Sequence, residues 1–228
     1  MYLHYSPFWI KRMFPTRMWE CNCSTISNSL YLTFDDGPIP EVTPWVLDVL
    51  KSYNIKATFF CVGNNVKKYP YLLERIHKEG HLVGNHTYNH ISGFGTTVKD
   101  YLNEVLQTQN VLNQILPYST PYFRPPYGRI TLAQARHISK THKIVMWSVL
   151  SGDFDTALSG NKVLYKSLQY TQSGKIIVFH DSLKAFPRLE YALPRYIESC
   201  LKLGYHFDIF KLPICDSVGE HTEKCSLY

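Results

Sequence analysis

The chain has 228 residues, 45% of them hydrophobic and 18% charged, a composition that excludes a disordered chain or a repeat array and leaves a folded globular protein of one domain. Its formal charge of +6 is scattered from Lys11 to Lys224 rather than gathered in one block. A solvated basic surface is therefore expected, and no nucleic-acid partner.

Residues 1–28 open the chain with an aromatic and basic segment, in which Tyr2, Tyr5, Phe8, Trp9, Phe14 and Trp19 alternate with Lys11, Arg12 and Arg17. A secretory signal places charge first and an apolar run second; here the order is reversed, and His4 and Pro7 break the run. No stretch approaches the about 20 apolar residues of a membrane span. The cytoplasm is thus the default location, with envelope association left open. The segment is expected to pack under the domain; surface contact with a membrane through residues 1–20 is the minor alternative.

From Ser29 onward short apolar runs alternate with helical patterns. Strands are expected at Leu30–Phe34, Lys56–Cys61, His81–Val83, Ile144–Trp147, Ile176–Phe179 and Tyr205–Ile209. Helices are expected at Val42–Tyr53, Tyr71–Lys78, Thr97–Leu116, Leu132–Ser139, Lys162–Tyr170 and Leu189–Leu203. This alternation implies an α/β protein with parallel strands, either a barrel or a doubly wound sheet. The domain spans residues 29–210, followed by a tail at 211–228. It leaves no spare segment to cover a barrel mouth, so an open groove is expected. Among the six cysteines, Cys61 reads as a buried thiol, and Cys215 and Cys225 would bridge only in an oxidising compartment.

In α/β barrels reactive residues sit just after the strands, and polar clusters occur at those places. Asp35 and Asp36 follow Leu30–Phe34. An Asp-Gly-Pro turn explains one of these acids, not both. If the strand's alternation continues, the two carboxylates point in different directions, one toward a metal and the other beside it as a base. His86 and His90 are spaced by four, as on one face of a helical turn. With Asp36 they make a His₂Asp set whose fourth position stays open for water, as catalytic zinc requires. Downstream lie Arg124-Pro125-Pro126-Tyr127-Gly128, a stiff loop, then Asp153-Phe154, and then Ile176-Ile177-Val178-Phe179-His180-Asp181. Taken singly, each of these has a structural explanation.

In order, Thr-Phe-Asp-Asp-Gly, His-Thr-x-x-His, Arg-Pro-Pro-Tyr-Gly, Asp-Phe and Val-Phe-His resemble the polysaccharide deacetylase family, also called the NodB-homology or carbohydrate esterase family 4 group. The resemblance runs from about Leu30 to Phe207. It implies a distorted (β/α)7-type barrel and one divalent metal, commonly zinc, with cobalt, nickel or manganese as alternatives. It also implies Asp36, His86 and His90 as metal ligands, Asp35 as general base and His180 as general acid. Arg124 would orient Asp35, Asp153 would hold His180, and the Tyr127 N–H would bind an oxyanion. Phe154, Val178 and Pro125 would contact substrate. Leu150 and Phe154 depart from the family's fourth motif, which often has an acid and a tryptophan there, so substrate preference is the property they touch.

The implied activity is removal of N-acetyl groups from N-acetylglucosamine units of a peptidoglycan- or chitin-like glycan, releasing acetate. An O-acetyl esterase or other metal-dependent deacylase would use the same site. A non-catalytic carbohydrate-binding relative should have lost Asp35 or His180, and both are present.

Overall fold

The computed structural model describes residues 3–21 and 27–211. Helix α1 (Phe8–Met13) precedes the first strand, β1 (Ser29–Asp35). Then come α2 (Thr43–Ser52), β2 (Thr58–Cys61), α3 (Gly63–Lys68), α4 (Pro70–Lys78), β3 (Leu82–Asn85), α5 (Val98–Asn113) and β4 (Tyr122–Phe123). The chain continues through α6 (Leu132–Ile138), β5 (Lys143–Ile144), β6 (Val149–Leu150), α7 (Gly160–Gln169), β7 (Ile176–His180), α8 (Phe186–Lys202) and β8 (His206–Phe207).

The strands run in the order β5-β4-β3-β2-β1-β7-β6, with β8 beside the start of β1, and the pairings among these strands are parallel. This is the curled (β/α)7-type barrel expected from the sequence. Period-two alternation divides β1, β2 and β7 between two cores. Leu30, Leu32 and Phe34 of β1 and Ile177 and Phe179 of β7 join the helices in one hydrophobic cluster. Tyr31, Phe60 and Ile176 face the barrel interior with Val145 and Phe210. Thr33 and Asp35 continue the inward row, which carries Asp35 to the C-terminal mouth opposite His180 in the β1–β7 ladder.

One expected element differs. The strand foreseen at Ile144–Trp147 is two short pieces, β5 pairing with β4 and β6 with β7, so this stretch changes partners around Trp147. The N-terminal segment fills the seam that results. Met18 exchanges backbone hydrogen bonds with Ile144 and Met146 (2.8 and 2.7 Å), while Ser6 and His4 bond Ser148 and Leu150 (3.0 and 2.9 Å). The Ser148 hydroxyl donates to the Trp19 carbonyl at 2.6 Å, and Tyr5 stacks on Tyr170. The described part of the segment thus packs on the domain, in the barrel wall beside its mouth. No helix among the described residues is long and apolar enough to cross a membrane. Cys215 and Cys225, with residues 212–228, lie outside the described residues.

Candidate active site

Asp36 has a left-handed backbone (φ 84°), a conformation that Asp tolerates better than most residues. This reverses the expected divergence of the two acids. Instead of pointing to the opposite face, Asp36 turns its carboxylate back over the mouth, so that Asp35 Oδ2 and Asp36 Oδ1 each lie 3.9 Å from His86 Nε2. The turn is fixed from below by Asp181, whose carboxylate accepts from the Gly37 N–H at 3.0 Å and the Thr43 hydroxyl at 2.6 Å. Burial, aided by the Asp36 charge, pushes the Asp181 carboxyl up to about 8, against those two hydrogen bonds. A Cβ on Gly37 would sit 1.9 Å from Asp181 Oδ2. Gly37→Ala is therefore expected to destabilise the protein by roughly 1–3 kcal/mol through overpacking. Urea unfolding would check this, and an unchanged midpoint would contradict it.

The histidines meet by a different route from the one expected. Residues 86–90 are not helical: Thr87 and His90 have φ of 61° and 55°. The loop is held by the N–H groups of Gly63 and Asn64, which donate to the carbonyls of Thr87 and Tyr88 at 3.0 and 2.9 Å. A left-handed β-branched Thr is costly; these contacts sustain it, and the resulting loop places the two imidazole rings 5.0 Å apart.

The residues suit a metal. Ligand atoms of Asp36, His86 and His90 lie within 4.8 Å of one another. His86 Nδ1 is 2.8 Å from the Arg124 carbonyl; donation there leaves the Nε2 lone pair aimed at Asp36, the support that metal-bound imidazoles usually have. Burial drives the His86 pKa down to about 4, so the ring is neutral and ligand-competent at pH 7. Burial opposes ionisation of Asp36, but the hydrogen bond with His90 and the neighbouring imidazoles hold its carboxyl well below the usual range. Two imidazoles and a carboxylate fit a first-row ion such as zinc.

The remaining predicted residues brace this set. Arg124 is fully buried and stacks on Phe60; it donates to Asp35 Oδ1 at 2.6 Å, Thr33 Oγ1 at 2.8 Å and the Met146 carbonyl at 2.9 Å. Asp153 receives both the His180 backbone N–H (2.8 Å) and Nδ1 (2.7 Å). Burial resists the imidazolium, yet Asp153, Asp36 and Asp35 outweigh it and raise His180 to about 9. The Phe154 ring stands edge-on to His180 at 5.0 Å, and Tyr127, at φ 59°, sets its ring 4.8 Å from that of His90.

A cavity of about 880 Å³ joins Asp35, Asp36, His86, His90 and His180 to Tyr127 and Phe154. Val178 and Pro125 are not on its wall. Val178 lies one layer beneath, fully buried, and its β6 neighbour Leu150 faces the cavity in its place. Tyr5, Ile10, Phe14, Arg17 and Trp19 of the N-terminal segment also form part of the wall. Sequence reasoning gave Asp181, Thr43 and this wall no role at the site. For Asp181 the available signal was its place directly after His180.

A profile of the polysaccharide deacetylase family matches residues 23–147. Two Bacillus cereus proteins named peptidoglycan-N-acetylglucosamine deacetylase are 39% identical over 152 residues and 33% identical over 178. The first alignment covers 66% of this chain and 55% of that protein; the second covers 77% and 83%. The chain thus spans about half the length of the first relative. A chitooligosaccharide deacetylase of Azorhizobium caulinodans is 32% identical over 156 residues, 68% of this chain and 74% of that protein. The crystal structure of the Bc1960 peptidoglycan N-acetylglucosamine deacetylase superposes with a TM-score of 0.81 at 31% identity, covering 90% of this chain and 95% of that one. The chain belongs to the polysaccharide deacetylase family, whose carbohydrate esterase family 4 deacetylases use a divalent metal.

Proposed function

We propose that the protein hydrolyses the N-acetyl group of N-acetylglucosamine units in a peptidoglycan- or chitin-like glycan, releasing acetate and leaving a free amine. The observation that carries this reading is the facing of Asp35, braced by Arg124, and His180, braced by Asp153, across a His₂Asp set at one cavity. The names of the relatives support the glycan class.

Amide hydrolysis needs water made nucleophilic, the oxyanion stabilised and the amine protonated as it leaves. A divalent ion held by Asp36, His86 and His90, zinc by its ligand set, would acidify water and polarise the carbonyl. Asp35, fixed by the Arg124 hydrogen bond, takes the proton from the attacking water. The Tyr127 N–H donates to the developing oxyanion. His180 gives its proton to the departing nitrogen, which would otherwise leave as a strongly basic anion. The direct test is acetate release by zinc-loaded protein from N-acetylglucosamine oligomers and peptidoglycan. No acetate from any of them would reject the reading.

The charge on His180 sets the pH response. Its folded pKa is raised, so the stabilising ion pair with Asp153 is complete below the unfolded value of about 6.5 and is lost as pH rises through about 9. kcat/KM is accordingly expected to fall on an alkaline limb near pH 9. Asp153→Asn should move that limb downward toward pH ~6.5. A pH–rate profile that stays fixed in Asp153→Asn would remove His180 from the role of acid.

A further inference from the structure

Arg17 is 9% exposed and lines the active-site cavity. The other buried basic chains, Arg124 and Lys175, each meet an acid, Asp35 at 2.6 Å and Glu20 at 2.7 Å. Arg17 meets none among the described residues. Its recorded side-chain contact is the Phe14 ring, 4.1 Å beneath the guanidinium. That stack covers one face of the group and leaves its in-plane N–H donors unmatched. Burial alone lowers its pKa, with no neighbouring carboxylate to oppose the shift, and an arginine keeps its charge in such a place. An unpaired buried cation is costly, so the folded chain holds it ready for a partner from outside. The cavity's own acids are already engaged, Asp35 by Arg124 and Asp36 by His90. Arg129 and Lys184, exposed and also on the cavity wall, add to the same sign.

We propose that Arg17 is a substrate-binding residue that takes a carboxylate of the glycan, selecting an acidic N-acetylated polymer over a neutral one. This rests on the deacetylase reading and narrows its substrate class. A carboxylate matches the planar fork of a guanidinium. N-acetylmuramic acid supplies one on its lactyl ether, beside the N-acetylglucosamine it is linked to, and an attached stem peptide supplies others; a chitin-like oligomer supplies none. Because Arg17 lines the wall and forms no ion pair with Asp35, Asp36 or His180, it contributes to binding and not to the chemical step.

The test compares the unaltered protein with Arg17→Met on four tetrasaccharides. These are alternating N-acetylglucosamine–N-acetylmuramic acid with free lactyl carboxylates, its methyl ester, its tetrapeptide-bearing form, and N-acetylglucosamine tetramer. Arg17→Met is expected to raise KM for an acidic substrate roughly 10- to 100-fold at unchanged kcat, and to raise it far less for the ester and the neutral tetramer. The acidic form that responds, stem-free or peptide-bearing, identifies which carboxylate is bound. Arg17→Lys keeps the charge and should retain a weaker preference for acid over ester. Equal losses on neutral and acidic substrates, or no preference for acid over ester in the unaltered protein, would overturn the proposal and leave Arg17 a packing residue. If none of the four yields acetate, the deacetylase reading fails by itself. Calorimetric titration of the same sugars then decides Arg17: acid-selective binding lost in Arg17→Met upholds it, and equal binding overturns it.

Discussion

Asp35→Asn is expected to keep the bound metal and lose turnover by roughly 10²–10⁴-fold, the size of a general-base contribution. Asp36→Asn is expected to lose both. The two side chains are sequence neighbours with nearly equal approaches to His86, but their other partners separate them. Asp35 is tied to Arg124, which leaves one oxygen toward the cavity, whereas Asp36 Oδ1 lies 3.1 Å from His90 Nε2 as well. The His86→Ala/His90→Ala double variant should resemble Asp36→Asn. Metal content measured beside acetate release checks the division: equal metal loss in Asp35→Asn and Asp36→Asn would show that the roles are shared or exchanged.

Arg124→Met should be the most damaging change to the fold, at about 3–5 kcal/mol, because removing one member of a buried ion pair strands the other. Asp35 would remain nearly buried without its guanidinium, and Thr33 and the Met146 carbonyl would lose their donor. Asp35→Asn should cost less, since the amide oxygen still accepts from Arg124. The double variant should cost less than the sum of the two. Denaturant unfolding of the metal-free proteins measures all three, and a loss below about 1 kcal/mol in Arg124→Met would mean that the pair is not the anchor described.

The alternation of β1 and the polar residues after its end were legible in the sequence because both follow from local rules: period two along the strand, and reactive groups beyond its last residue. That legibility stopped where tertiary contacts set the backbone. The spacing of His86 and His90 fits a helix, and tertiary contacts, from Gly63 and Asn64 of α3 and Glu104 of α5, show why it is a loop with left-handed residues. Helix α3, with Asn64, Asn65, Lys67 and Lys68 in six residues, has no apolar period to find. Strand β4 has two residues, too few for alternation. The aromatic and basic pattern of the N-terminal wall did not name its partners, because Ile144–Leu150 lie more than a hundred positions away.

That separation matters during synthesis. The segment from His4 to Trp19 leaves the ribosome well before the backbone groups it pairs with at Ile144–Leu150, and β1 through β4 are made in between. At 5–20 residues per second, the aromatic segment waits on the order of 10 s for its partners. Through that interval Tyr5 lacks Tyr170 and Trp19 lacks Ser148, and β1 through β4 can form before the seam closes. This part of the cavity wall is thus made before the residues that hold it and placed only after them.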